Sequence, residues 1–225
     1  MKISIIIPVL NESSHIAETL QKLEPFRGYA QIIVVDGGSN DNTIEIAHHY
    51  ARVITSSRGR AVQMNAGARE AWGEVLLFLH ADTSLPDGAL TAIEKCLADK
   101  NVIGGRFRVR LDLPGWQYRM VDSSINIRDR IFGGFTGDQA IFIRTPVFQK
   151  LGGYTEIPLM EDLDLGKRMR WEGKIALLPE YVITSARRWQ KNGVFQTIFL
   201  MWCLKILYFS GLHPTRFKKL YGDAR

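Results

Sequence analysis

Ile3-Ser4-Ile5-Ile6-Ile7-Pro8-Val9 is the stretch that decides the fold. It is apolar on both faces of an extended chain, without the polar alternation of a strand that has one side in water. It therefore reads as a strand buried in a parallel sheet. Ile16, Leu20 and Leu23 then recur at helical spacing over residues 14–23, with Ser13 or Ser14 placed to cap. The alternation continues outward. Residues 31–35 form a second buried strand ending at Asp36, 41–51 a helix, 52–55 a short strand and 60–71 a helix. Residues 75–79 form a strand running into His80-Ala81-Asp82, and 86–97 a helix with Pro86 in its first turn. The prediction is an α/β fold, Rossmann-like, with a mostly parallel sheet, helices on both faces and right-handed crossovers.

From Ile103 the pattern changes. Residues 106–111 alternate basic and apolar side chains, as in a half-exposed strand, and 113–135 are aromatic and carry no firm assignment. A strand at 139–143, a helix at 146–151 closed by Gly152-Gly153, a helix at 162–171 and a strand at 175–178 follow. A length of 225 residues suits one domain with additions. We place a catalytic domain at 1–190 and an apolar and basic helical extension at 191–225. The net charge of +6 and pI of about 9.4 suit an anionic partner such as a nucleotide or an anionic lipid. Nucleic acid is not among the expected partners. Cys96 and Cys203 read as buried small hydrophobes in a reducing cytoplasm. Met1-Lys2-Ile3 runs straight into the first strand, with no signal-type segment, so a cytoplasmic location is expected.

In an open α/β sheet, ligands bind beyond the carboxyl ends of the strands. The polar residues gather there: Asn11-Glu12 after the first strand, Asp36-Gly37-Gly38-Ser39-Asn40-Asp41 after the second, and His80-Ala81-Asp82 after the fourth. Glycines at 37 and 38 permit close backbone approach, and Asp36 can accept hydrogen bonds from a nucleobase or ribose. Ser39 and Asp41 serve equally well as turn and cap residues. Arg58-Gly59-Arg60 precedes a helix, where two guanidiniums and free N–H groups could meet phosphate. Asp82 is the metal candidate, because Mg²⁺ or Mn²⁺ prefers carboxylate oxygen. His80 could ligate the metal, contact the ligand or bond backbone in a turn. Glu161-Asp162-Leu163-Asp164 opens a helix, where acids favour the dipole. Three acids in four positions exceed what a cap needs, so one is a candidate general base. Neither a G-x-G-x-x-G after a strand nor a P-loop is present.

In that order, Pro8-Val9-Leu10-Asn11-Glu12, Asp36 through Thr43, Asp82, Gly137-Asp138 through Arg144, Gly152-Gly153-Tyr154 and Glu161 through Leu165 resemble the family-2 glycosyltransferases. The His-Ala-Asp variant and the small size look like the compact bacterial subgroup called selenodomain-associated transferases. The resemblance implies a GT-A fold and inverting transfer from a UDP- or GDP-sugar. It implies that Pro8, Asn11, Glu12, Asp36, Gly37, Ser39, Asp41, Arg58, Arg60, His80, Gly137 and Asp138 surround the donor. Asp36 would meet the base, Asp82 would hold Mg²⁺ or Mn²⁺ on the diphosphate, and Asp162 would be the catalytic base beside Glu161. Two departures stand out. The usual D-x-D has lost its first acid to His80, and Gln-x-x-Arg-Trp is only echoed by Arg187-Arg188-Trp189, with Ser185 in the glutamine slot. Arg187 and Arg188 either reach the diphosphate or form a basic surface pair.

Residues 194–209 are apolar but interrupted by Gln196 and Lys205, and shorter than the ~20 residues of a spanning helix. Two readings remain open. The helix packs on the domain or in a homodimer, or it lies at the inner face of the cell membrane, with Arg216, Lys218, Lys219 and Arg225 toward anionic lipid. The second would suit a lipid acceptor. A non-catalytic relative that keeps the nucleotide site is the competing function. A sugar nucleotidyltransferase is disfavoured, because Pro8 to Glu12 holds no glycine.

Overall fold

The computed structural model describes residues 1–132 and 134–221, with the side chains of 128–132 excepted. Eight strands form one sheet in the order β3-β2-β1-β4-β7-β6-β8-β5. They are β1 Ile3–Val9, β2 Ala30–Asp36, β3 Arg52–Thr55, β4 Val75–Phe78, β5 Thr83–Ser84, β6 Val102–Leu111, β7 Ile141–Arg144 and β8 Lys174–Thr184. Every residue of β1 is buried, as its two apolar faces require. β1 pairs in parallel with β2 on one side and β4 on the other, and β2 pairs in parallel with β3. Beyond β4 the sheet is mixed: β7 runs antiparallel to β4 and β6, β8 parallel to β6, and β5 antiparallel to β8.

The strand order reverses at β1, since the chain runs outward through β2 and β3 and returns to β4 on the other flank. The β1–β4 ladder ends with Leu79 N–H on the Ile6 carbonyl, 3.0 Å. The next rung would need an N–H from Pro8, which has none. The two strands can part there, and a crevice opens where ligands of open α/β sheets bind.

The helices are α1 Ile16–Leu23, α2 Thr43–His48, α3 Arg60–Arg69, α4 Ala89–Leu97, α5 Trp116–Phe132, α6 Thr145–Lys150, α7 Glu161–Glu172, α8 Arg187–Asn192, α9 Val194–Phe209 and α10 Lys218–Tyr221. Neither Ser13 nor Ser14 caps α1; His15 stands at its start, and the Glu12 carbonyl takes the His15 and Ile16 N–H groups. Pro86 is not in the first turn of α4. A turn comes first, and the helix starts after Gly88, at φ 71°. Gly152 and Gly153, at φ 73° and 76°, close α6 as the sequence predicts.

β6 is more buried than its alternation suggests. Arg106 is 3% exposed, with its guanidinium 4.4 Å from the Phe135 ring centroid, whereas Arg110 is exposed. β8 is longer than expected because it absorbs Pro179. Leu177 pairs with Arg106 and Tyr181 with Arg108, so residues 178–180 bulge out and Pro179 owes the ladder no donor. Past Gly105, β7 no longer pairs with β6, and α5 takes over that edge. Asn126 accepts from Val109 N–H at 3.0 Å and donates to its carbonyl at 2.9 Å, while Asp122 accepts from Leu111 N–H at 2.9 Å.

α9 packs one side on the domain, through Leu204 against Leu159 and Phe217 and through Ile198 near Val121 and Ala186. No helix among the described residues is long and apolar enough to cross a membrane. Cys96 and Cys203 are free and half-buried rather than buried. Arg225 lies outside the described residues.

Candidate active site

The loops after β1 and β2 are stitched together. Asn11 holds φ 54°, a left-handed conformation that asparagine tolerates, and its side chain accepts from Asn40 N–H at 2.8 Å. Asn11 N–H donates to Ser39 Oγ at 2.9 Å and Glu12 N–H to Thr43 Oγ1 at 2.8 Å. Asp36 is fully buried and accepts from Gly38 N–H at 2.7 Å and Ser39 N–H at 3.0 Å. Asp41 is desolvated enough to be pushed up, but hydrogen bonds from Thr43 and Ser13 overcome this and hold its carboxyl at about 2. Gln63 of α3 donates to the carbonyls of Val9 and Val35, both at 2.8 Å, fixing the two strand ends. A Cβ on Gly37 would meet its side chain at 2.9 Å.

Glu12 is 4% exposed. Its Oε1 accepts from Arg187 Nη2 at 2.9 Å, and the same nitrogen stands 3.2 Å from Asp82 Oδ2. Arg187 thus bridges the ends of β1 and β4 from the start of α8. Burial pushes the Asp82 carboxyl up. Arg187 opposes this, and the charges of Glu12 and Asp138 add to it. Ser185 N–H donates to the Asp82 carbonyl at 3.1 Å.

Across the crevice, Met160 at φ 67° starts α7 and turns Glu161 and Asp162 inward, where they are 1% and 6% exposed. Glu161 pairs with Arg60 Nε at 2.8 Å. Burial first, then the Glu161 charge, drives the Asp162 carboxyl up to about 8; Arg60 and the Gly137 N–H resist, and Asp138 adds to the rise. A Cβ on Gly137 would lie 2.5 Å from both Asp162 Oδ2 and His80 Nε2, so these two side chains close on one glycine.

The structure therefore gathers Glu12, His80, Asp82, Gly137, Asp138, Glu161, Asp162, Arg60 and Arg187 around one crevice. Pro8, Asn11, Asp36, Gly37, Ser39 and Asp41 form the adjoining loop wall. Arg58 is exposed at the mouth of the loop that leads to Arg60, and Arg188 lies 4.7 Å from the ring centroid of Tyr221, whose hydroxyl acts on Arg60.

The sequence reading gave no site role to Tyr154, whose buried hydroxyl lacks a hydrogen-bond partner near the two acids. Glu12 Oε2, Asp138 Oδ1 and Asp162 Oδ1 are also buried without a hydrogen-bond partner. Such spare hard oxygens fit a divalent cation better than a neutral ligand. Among the described residues no group of three or more acids, histidines or cysteines is close enough to hold a metal by itself.

The sequence profile of Glycosyl transferase family 2 matches residues 4–150. The chain belongs to this family. The family 2 segment thus runs from β1 through α6 and includes the crevice ends of β1, β2 and β4. The chain is 26% identical over 158 residues to the undecaprenyl-phosphate 4-deoxy-4-formamido-L-arabinose transferase of Proteus mirabilis, covering 64% of this chain and 48% of that protein. It is 38% identical over 91 residues to a PGL/p-HBAD biosynthesis glycosyltransferase of Mycobacterium bovis, 36% of each chain. It spans less than half the length of both relatives. Among solved structures, the mannosyltransferase PcManGT from Pyrobaculum calidifontis, in complex with GDP-Man and Mn²⁺, aligns with a TM-score of 0.68 at 19% identity. That alignment covers 99% of this chain and 68% of PcManGT. S. aureus TarS 1-349 in complex with UDP-GlcNAc aligns at 0.66 and 18%, covering 82% and 58%. These likenesses show a GT-A fold for this family 2 chain.

Proposed function

We propose that this family 2 glycosyltransferase moves a sugar from a nucleotide-diphosphate sugar to an acceptor hydroxyl by one inverting displacement assisted by a divalent cation. The observation that carries the reading is Asp162, a buried carboxylate beside Gly137 and His80, across the crevice from Asp82. Asp162 takes the acceptor proton as the acceptor oxygen bonds to the anomeric carbon. The bond from that carbon to the diphosphate breaks, and its electron pair leaves with the phosphate. Arg60 pairs with Glu161, while burial and the Glu161 charge raise the Asp162 carboxyl to about 8.

Asp82, with the spare oxygen of Glu12, would hold Mg²⁺ or Mn²⁺, which when bound neutralises charge on the leaving diphosphate. Arg187 already lies against both acids and adds a second cation at that edge. Asp36 and the loop it orders would face the nucleoside. UDP and GDP sugars are the donor candidates, since TarS and PcManGT are complexed with UDP-GlcNAc and GDP-Man.

A lipid-linked acceptor is favoured by a specific observation on α9. Phe195, Phe199, Trp202, Ile206 and Phe209, each 61–73% exposed, recur at alternating spacings of four and three and form one stripe. Exposed Lys191, Arg216, Lys218 and Lys219 lie near its ends in sequence. We read the helix as lying on an anionic lipid surface, which places the enzyme at the inner face of the cell membrane. The relative from Proteus mirabilis carries undecaprenyl phosphate in its name.

Thermal unfolding with UDP, GDP and their sugars, with and without Mn²⁺, tests the donor reading. Ligand at ~100 times its dissociation constant adds about 2.7 kcal/mol. A melting point unmoved by every nucleotide would overturn it. Donor hydrolysis lost in Asp162→Asn while nucleotide binding persists separates a transferase from a binding relative.

A further inference from the structure

The crevice accounts for one cluster of charge. A second lies further along β6. Arg108 and Arg110, with Arg119 of α5 and Tyr181 of β8, line a cavity of about 310 Å³. The guanidinium carbons of Arg110 and Arg108 sit 4.7 and 5.8 Å from the Tyr181 ring centroid. Stacking of this kind fixes a guanidinium plane while leaving its N–H edge free for a ligand. Among the described residues, Asp122 is the carboxylate that lines the cavity. It is already taken by Arg119 Nη1 at 2.5 Å and by Leu111 N–H at 2.9 Å. Arg119 is likewise engaged, donating to the carbonyls of Leu111 and Leu113 at 2.8 and 2.6 Å. The surplus positive charge therefore belongs to Arg108 and Arg110.

We propose that this cavity is a second anion site, separate from the sugar-nucleotide crevice, that takes a phosphate monoester group. Two planar forks on neighbouring same-side strand positions suit tetrahedral phosphate oxygens. The Ser123 hydroxyl lines the same cavity. The site does not overlap the catalytic acids. The turn carrying Gly137 and Asp138 attaches to β6 at the Phe107 carbonyl, through Gln139 Nε2 at 3.4 Å. Phe107 and Val109 point into the core, whereas Arg108 and Arg110 alternate away from it. The rim is apolar: Ile127 lines the cavity at 58% exposure, and Ile183, two residues beyond Tyr181, is 46% exposed. Cationic floor and apolar rim suit a phosphate borne by a lipid as well as a free phosphate ester, and the inference holds whether or not the transfer reaction is as proposed.

The test uses the full chain and Arg108→Gln/Arg110→Gln, with Arg108→Lys/Arg110→Lys as a variant that keeps the charge and loses the forks. In one arm, inorganic phosphate and glycerol 3-phosphate are titrated by calorimetry. In the other, protein is co-sedimented with phosphatidylcholine vesicles with and without phosphatidic acid, and the increment due to phosphatidic acid is read. The basic residues flanking α9 add to that increment equally in parent and variants, so the difference between them reads Arg108 and Arg110. The glutamine variant should lose about tenfold or more in the arm that reports the natural source, about 1.4 kcal/mol, because two charge-assisted hydrogen-bond donors are gone, and the lysine variant should fall between. Loss confined to the vesicle arm names a lipid; loss in the calorimetric arm names a free ester. Equal binding by variant and parent, or no binding of either probe by the parent, overturns the proposal. The melting shift with UDP or GDP and Mn²⁺ should be unchanged in the glutamine variant. A fall there would assign both arginines to the donor crevice and end the claim of a separate site.

Discussion

Asp162 carries a cost that its chemistry explains. An aspartate in an unfolded chain titrates near 3.9, and this one is driven up to about 8 by burial and by the charge of Glu161. As the proposed base, Asp162 is protonated, hence idle, below that value. In the free enzyme kcat/KM should therefore climb as pH rises from 6 and level off above about 8. A profile flat across that range would exclude Asp162 as the base. Stability moves the other way. Between pH ~4 and ~8 the unfolded chain gives up a proton that the folded one keeps, so raising pH through this window destabilises the fold. Asp162→Asn removes the group that does not want to ionise. Its melting point should exceed the parent's at pH 8 by several degrees, and the gap should close near pH 4, while turnover falls about 10²–10⁴-fold. Gly137 sets the approach of His80 and Asp162. Gly137→Ala places a methyl 2.5 Å from both, and should cost most of the activity while the melting point moves little. A fully active Gly137→Ala enzyme would mean that the two side chains need not meet there.

Among the elements, α5 shows how a sheet edge is satisfied without a strand. Asn126 offers Val109 both an acceptor and a donor, as a neighbouring backbone would. Asn126→Ala orphans one N–H and one carbonyl and should lower stability by about 2–3 kcal/mol, measured by urea unfolding. A change under about 0.5 kcal/mol would show that water replaces the amide. Nothing in the sequence announced this edge, because an asparagine within a helix looks the same whether it faces water or a strand. β1, β2 and the Gly152-Gly153 cap were legible, since a strand with six or seven buried residues or a glycine pair at a helix end leaves few alternatives. β8 was legible only to Leu178. Pro179 looks like a terminator, and only the partner strand reveals that the bulge makes it harmless. The site divides the same way. Glu12, Asp82 and Asp162 stand at element ends, where carboxylates are conspicuous. Tyr154 enters from the core, where a neighbouring glycine pair overshadows it.

At the scale of the whole molecule, the parallel half of the sheet turns its carboxyl edge toward the crevice, and the mixed half carries Asp138 and α7 across from it. α9 lies outside this division, fastened to the domain by Leu204 and Ile198 and leaving five large apolar side chains in water. Fully burying such a side chain contributes about 1.5–3 kcal/mol, so the stripe can supply a few orders of magnitude in partitioning to a surface. Phe199→Gln/Ile206→Gln removes two contacts from its middle without touching the buried side. The parent should co-sediment with anionic vesicles and the variant should stay in solution, at least about a hundredfold weaker. Donor hydrolysis in free solution should be equal in the two, because neither residue approaches the crevice. If the stripe instead seals a homodimer, analytical ultracentrifugation without lipid will show the parent as two copies and the variant as one, and vesicles will capture neither. The two surfaces make opposite demands on concentration: a dimer seam closes as protein is added, whereas a lipid-facing stripe responds to lipid at any protein concentration.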